Sequence, residues 1–336
     1  MPFILYILFV FVGCTGGVQN QLVTWTGQTM GTTYSVKVLT APDGAVLPGQ
    51  GDVDKILAQV NQSMSTYIKD SEISLINFSS EPIKEKAVTE GFAHVLDYAL
   101  ELSKSTDGVY DPTIGPLVNL WGFGPSAEKK VPSKEEIEKA KMRVGFQYVS
   151  LDKAARKLTL KKDNMYLDFS SLAKGYGVDL IAEFLLKRRL TDFMVEIGGE
   201  VRTSGTNNGR AWRVGIETPD VNKRSIQKIL EINDVAMATS GNYRNFFENA
   251  GKRYSHTIDF KTGEPVKFAL ASVTVLHKES CMKADALATA LMAMERSKAM
   301  EYAKENNIAA LFVYPKEGTK EFITKANSSF NQLVKK

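Results

Sequence analysis

Hydrophobic and polar positions alternate in some stretches of this chain, recur at helical spacing in others, and together predict its elements. Residues 23–39 alternate Val, Trp, Tyr and Val around a Gly-bearing interruption at 27–32, which predicts two strands joined by a turn. Residues 41–51, with two Pro and three Gly, predict a loop. Apolar positions 53, 56, 57, 60 and 64 share one helical face, and a short helical turn is expected at 73–77. Thr89 is placed to cap a helix over 90–105, stopped by Thr106-Asp107-Gly108. Ser133 with Glu136 forms a capping box for a helix running to about residue 144. Between these two, residues 109–124 pass through Asp111-Pro112, Gly115-Pro116 and Trp121-Gly122-Phe123-Gly124. They predict a long irregular segment rich in aromatics, and such loops often carry function.

The second half alternates less strictly between element types. Strands are predicted at 147–151, 157–161, 165–169, 193–197, 200–204, 212–216, 226–232, 235–239, 254–258, 271–276, 309–314 and 321–324. Helices are predicted at 172–187, 281–294 and 297–306. Strands fall in runs rather than one between each pair of helices. That predicts an α+β fold with mixed or antiparallel sheets and packed helices, rather than a doubly wound sheet.

The N-terminus changes the picture of where the chain resides. Residues 3–12 are entirely apolar; at about 1.5 Å per residue they cannot cross a hydrocarbon core of about 30 Å. The length fits the apolar stretch of a secretory signal. With Gly13-Cys14 directly after it, the run resembles a bacterial lipoprotein signal, although it lacks a Lys or Arg at its start. That reading implies cleavage before Cys14, lipidation (palmitate among the acyl groups) at Cys14, and an uncharged leash to residue 22. The mature protein would then be lipid-anchored at a cell membrane on the extracytoplasmic, periplasmic side. The plain alternative is a buried N-terminal strand. The organisation expected is a leader and leash over 1–22 and a single large domain over 23–336.

Composition narrows the chemistry. A formal charge of +4, from 42 basic and 38 acidic residues, is too mild to argue for nucleic acid, and no basic stripe interleaves with aromatics. Two cysteines, Cys14 and Cys281, give no disulfide framework; three histidines, His94, His256 and His277, are too scattered for a zinc site of His alone.

Residues 166–179 gather the strongest local signal. An apolar run ends at Asp168, Ser170 and Ser171 follow, and a helical pattern begins that carries Lys174, Gly175 and Gly177. A strand, tight turn and helix start would present backbone N–H groups and a positive dipole end to an anion, with Lys174 adding charge. An ordinary turn with a solvated lysine is the bland alternative. Asp285 and Thr289 stand four apart among alanines, so a carboxylate and a hydroxyl share one helix face and could hold a hard cation through oxygen. They could equally satisfy their own helix. His256, before a Gly turn, could act as a base or bond a phosphate, or simply pack.

Taken in order, these pieces resemble a known family. Met30-Gly31-Thr32, the run from Asp111-Pro112 to Trp121, Asp168-x-x-Ser171-x-Ala-Lys-Gly-Tyr-Gly-Val-Asp179, Glu196-Ile-Gly-Gly-Glu200, Ala238-Thr-Ser-Gly-Asn-Tyr243, Ser255-His-x-Ile-Asp259 and Ala284-Asp-Ala-Leu-Ala-Thr289 are similar to the ApbE family of FAD:protein FMN transferases. The resemblance spans about residue 24 to the C-terminus and implies a T-fold-like architecture. It implies Mg2+-dependent transfer of FMN from FAD, as substrate, onto a threonine hydroxyl of a target protein, with AMP leaving. The implied targets are flavin-accepting subunits of membrane electron-transport complexes with an Asp-Gly-x-Thr-like motif.

By position, Met30, Tyr67, Val109, Tyr110, Asp111, Asp168 and Lys174 fall on FAD contacts. Ser171, Asp285 and Thr289 fall on the metal site, and His256 and Ile258 near the pyrophosphate and flavin. His256 and Asp285 are the implied catalytic pair. Phe260 and Phe169-Ser170 depart from the family's commoner residues at their positions. Two alternatives stay open: an FAD pyrophosphatase giving FMN and AMP, and a non-catalytic FAD-binding lipoprotein.

Overall fold

The computed structural model describes residues 20–334, apart from 41–44, 126–127, 220–225, 243–245, 268–269 and 320. The apolar run at 3–12, Cys14, most of the leash and Tyr243 lie outside the described residues.

Nine helices are described: α1 (Gln50–Met64), α2 (Glu72–Asn77), α3 (Glu90–Ser105), α4 (Gly115–Leu120), α5 (Lys134–Lys141), α6 (Ala173–Leu186), α7 (Cys281–Ala293), α8 (Arg296–Glu305) and α9 (Ser328–Leu333). The strands are β1 (Leu22–Thr29), β2 (Thr32–Leu39), β3 (Lys86–Ala87), β4 (Val149–Asp152), β5 (Lys157–Leu160), β6 (Phe193–Ile197), β7 (Glu200–Ser204) and β8 (Trp212–Glu217). They continue with β9 (Ile226–Ile232), β10 (Ala236–Gly241), β11 (Phe246–Asn249), β12 (Lys252–Ser255), β13 (Ser272–His277), β14 (Ala309–Pro315) and β15 (Phe322–Ala326).

The main sheet has eight strands in the order β1-β2-β6-β7-β10-β13-β14-β15, and its described ladders are antiparallel. The expected α+β architecture therefore stands, with the antiparallel form of sheet. At the β1–β2 hairpin the register closes on Thr29 opposite Thr32. Met30 and Gly31 fill the two-residue turn, both with positive φ (50° and 71°), as the twist of such hairpins demands.

Alternation along the strands buries both faces of this sheet. Tyr34, Val36, Phe193 and Val195 pack with Leu57 of α1 and Ile181 of α6. Val273, Val275 and Phe312 pack with Ala284, Ala288 and Leu291 of α7. On the opposite face Val201, Leu311 and Val313 meet Leu230 and Ile232 of the β8–β9 hairpin and Phe330 of α9. Alternate residues of β14 thus serve two separate cores, which is why this strand reads as an unbroken apolar run.

Local chemistry sets the helix starts. Thr89 accepts from the Phe92 N–H at α3, and Ser133 and Glu136 complete a capping box at α5. The structure corrects three expectations. Residues 165–169 form no ladder: the Leu167 N–H and C=O are taken by the Asn77 side chain at 2.7 and 2.8 Å, so an amide stands in for a neighbouring strand. The segment 109–124 is not wholly irregular, because α4 forms inside it with Pro116 in its first turn, where a missing N–H costs nothing. Finally, β3, β11 and α9 were not expected.

Candidate active site

The site is built where α6 begins. The Asp168 N–H donates to the Pro112 carbonyl at 2.8 Å, which lays the loop after α3 beside this stretch. Asp168 Oδ1 accepts from the Ser170 N–H at 2.8 Å and turns the chain into the two serines. The Ser171 hydroxyl then meets the Tyr110 hydroxyl at 2.9 Å. Burial pushes the Tyr110 phenol far above its ordinary range; the Ser171 bond opposes this, while the charges of Asp285 and Asp168 add to it. One phenol therefore senses both carboxylates.

Asp285 reaches this point from α7, and two features of the helix crossing put it there. The first is Gly175, where a Cβ would lie 2.5 Å from the Cys281 carbonyl oxygen and 2.6 Å from Met282 Cα. Only glycine lets the backbones of α6 and α7 come this close. The second is Asp179, one turn on. Its carboxylate accepts from the Cys281 N–H at 2.8 Å, the Met282 N–H at 3.0 Å and the Ser280 hydroxyl at 2.7 Å. Arg202 of β7 pairs with it at 3.1 Å. A residue of α6 thus caps the N-terminus of α7, satisfying N–H groups that would otherwise lack partners.

Held this way, Asp285 Oδ2 accepts from the Gly175 N–H at 3.2 Å and lies 3.5 Å from the Lys174 ammonium. Lys174 stands closer, at 3.0 Å, to Glu200 Oε1. Burial disfavours the lysine's charge, but Asp285 and Glu200 more than offset it and raise its pKa. Burial raises Asp285, with Lys174 acting against it. Burial likewise pushes Glu200 up to about 8, Lys174 again opposing. Thr289, a turn beyond Asp285, places its hydroxyl 3.1 Å from that of Ser240 on β10.

The helix start is less open than its sequence implied. The Leu172 and Ala173 N–H groups donate to the Phe169 carbonyl, and that of Gly175 is held by Asp285. The Lys174 side chain is a positive element that reaches the cluster.

The other candidates divide into groups. Asp111 is buried, with Oδ1 accepting from the Thr113 N–H and hydroxyl and Oδ2 from the Phe146 N–H. Its carboxylate is committed to shaping the loop, so a ligand could meet only the backbone there. Val109 packs against the α7–β14 core. Met30, at the hairpin tip, reaches the Gly177 side of α6. Tyr67 is 70% exposed, and nearby in the fold burial and the charge of Asp168 raise the Tyr166 phenol. His256 stands edge-on to Phe123 at 6.3 Å, within an array in which Tyr254 stacks on Trp121 and Phe247. Ile258 is only 5% exposed and packs with Leu117, Trp121 and Ile137, so its side chain is core. The structure therefore gathers Tyr110, Asp168, Ser171, Lys174 and Asp285. It joins Thr289 to them along α7 and puts His256 and Ile258 in a neighbouring aromatic cluster.

Sequence reasoning gave no site role to Glu200 or Asp179, while Ser240 lies in 239–243, which it read as a hydroxyl-rich turn suited to phosphate. Glu200 and Asp179 closed motifs already noted, but their partners lie far off in sequence. A groove of about 1330 Å³ lined by Gln59, Ser63, His94, Tyr176 and Glu183 opens beside α6 but contains none of the clustered donors.

Whether these residues suit a divalent cation follows from their chemistry. Asp285, Thr289 and Ser171 offer oxygen, the donor type hard cations take. Both bonds to Asp285 fall on Oδ2. Two buried carboxylates share one ammonium, and Glu200 Oε2 is buried without a hydrogen-bond partner. Oxygen donors with an acceptor to spare beside them fit a hard dication. Among the described residues no three His, Cys, Asp or Glu converge at metal spacing, so hydroxyl or carbonyl oxygens must complete any such site.

Comparison with known proteins accords with this geometry. The family model described as "ApbE family" matches residues 30–312. A protein of Vibrio cholerae named FAD:protein FMN transferase is 44% identical over 98% of this chain and 97% of its own length. One of the same name from Haemophilus influenzae is 41% identical over 94% and 92%. Among solved structures, "Flavin Transferase ApbE from Vibrio cholerae" superposes with a TM-score of 0.83 at 42% identity, covering 94% of this chain and 99% of that one.

Proposed function

The chain belongs to the ApbE family, and on that premise we propose that it is an FAD:protein FMN transferase that moves FMN onto a threonine hydroxyl of its acceptor. The threonine oxygen attacks the phosphorus on the FMN side of the FAD pyrophosphate. The bond from that phosphorus to the bridging oxygen breaks, AMP departs with the oxygen, and the hydroxyl proton passes to a base. Such a reaction depends on positioning and charge neutralisation more than on covalent help. Convergence of Lys174, Asp285 and the Tyr110–Ser171 pair at the starts of α6 and α7 carries this reading.

Lys174 sets its ammonium toward the phosphates, tethered between two carboxylates. Tyr110 fixes the Ser171 hydroxyl and, through burial, stays neutral. Asp285, Thr289 and Ser171 would hold Mg2+, which when bound supplies charge neutralisation at the pyrophosphate. The base is His256, which stands edge-on to Phe123 in the aromatic array, or a nearby aspartate, as the family resemblance implies.

Incubating the protein with FAD, Mg2+ and a redox subunit bearing an Asp-Gly-x-Thr-like motif should add the mass of FMN to that subunit and release AMP. Intact FAD and unmodified acceptors would overturn the assignment.

The reading extends to location: a lipid on Cys14 would hold the enzyme at the extracytoplasmic membrane face, near membrane redox complexes. Among the described residues no helix is long and apolar enough to cross a membrane. Cys14→Ala should move the protein from the membrane to the soluble fraction. A wild-type protein already soluble would refute the anchor.

A further inference from the structure

Glu200 is one of the most deeply buried carboxylates in the molecule, 3% exposed, at the first position of β7. It touches Lys174 through Oε1 at 3.0 Å, whereas Oε2 has no partner. Buried carboxylate oxygens are normally bonded, so an orphan of this kind calls for an explanation. The lysine it touches lies 3.5 Å from Asp285. Lys174 therefore stands between a carboxylate needed for the cation and another with an acceptor to spare.

We propose that Glu200 is a positioning residue that draws Lys174 away from Asp285, so that a divalent cation can take Asp285 while the lysine remains in the site. The inference rests on the metal reading above. Without Glu200, Lys174 would be the sole counter-ion of Asp285, and an incoming dication would have to displace a buried ion pair. With Glu200, the lysine can pass wholly to the second carboxylate and occupy both of its oxygens, which also satisfies Oε2. Once transferred, Lys174 remains available to the substrate phosphates.

Mn2+ binding to the full chain without FAD, measured by electron paramagnetic resonance of the free ion, tests this. Glu200→Gln preserves shape and one acceptor while removing the charge. It should weaken Mn2+ binding at least tenfold with melting temperature and circular dichroism close to wild type. Adding Lys174→Met to Glu200→Gln removes the competitor and should recover most of the affinity. Wild-type affinity in Glu200→Gln, or a double variant as weak as the single one, would overturn the proposal while leaving the metal site standing. A wild-type protein that binds no Mn2+ would instead overturn the metal reading itself.

If Glu200→Gln does not fold, crystals of the wild-type protein with and without Mn2+ decide the matter. Lys174 is expected to leave Asp285 for both Glu200 oxygens when the ion is bound; a lysine still bridging the two carboxylates would refute the idea.

Discussion

Asp285→Asn keeps an oxygen for the Gly175 N–H but removes the carboxylate charge beside Lys174. Transfer of FMN should fall by on the order of 10²–10³, the usual cost of losing one charge-stabilising group at a reacting centre. Mass analysis of the acceptor checks this, and near wild-type rates would remove Asp285 from the site. His277 makes a separate prediction about pH. Its Nδ1 accepts from the Glu279 and Ser280 N–H groups, both at 3.1 Å, just before α7. Burial, helped by the charge of Lys283, lowers its pKa from the ordinary 6.5. As pH falls below about 6.5, the unfolded imidazole takes up a proton that the folded one resists, so stability is lost toward acid. His277→Asn retains an acceptor without titrating. Its urea midpoints should therefore decline less between pH 7.5 and 5.5 than those of the wild type, and equal slopes would count against the argument. At this scale, legibility followed range. Asp168, Lys174 and Asp285 were visible because their neighbours in sequence form recognisable turns and helix faces. Glu200 was not, because its meaning lies in a lysine 26 positions away that only the sheet brings near.

The contact between α6 and α7 is the element on which the site depends. Gly175→Ala would push a methyl into the backbone at Cys281, so the helices must separate. A stability loss of roughly 1–3 kcal/mol is expected from such overpacking, with a larger fractional loss of transfer because Asp285 moves with α7. Urea denaturation and the transfer assay, run side by side, test the two parts. A variant as stable and active as wild type would show that the crossing tolerates the extra bulk. Elements announced by caps were readable in advance, since Thr89 and Ser133 act on N–H groups three residues away. The 165–169 stretch misled because its apolar spacing is that of a strand while its partners are Asn77 and Pro112. Gly115-Pro116 hid α4, since both residues usually signal a break, yet Pro is well suited to a first helical turn.

For the molecule as a whole, the antiparallel sheet with its two packed faces supplies the stability, through apolar cores that need no ion to form. Removing divalent ions with EDTA should therefore stop transfer while leaving circular dichroism and thermal unfolding nearly unchanged; collapse of the fold would contradict that separation. The α+β class was legible because strands occurred in runs, whereas the strand order was not, since it is set by long-range pairing. The joining of Asp179 to the first residues of α7 spans 102 positions. Closing so long a loop carries an entropic penalty and tends to come late in folding. A folding chain can therefore assemble α6 with β6 and β7 before α7 docks. Competence to bind an ion at Asp285 is conferred only by that late docking, and fragments ending before α7 carry no half-formed catalyst.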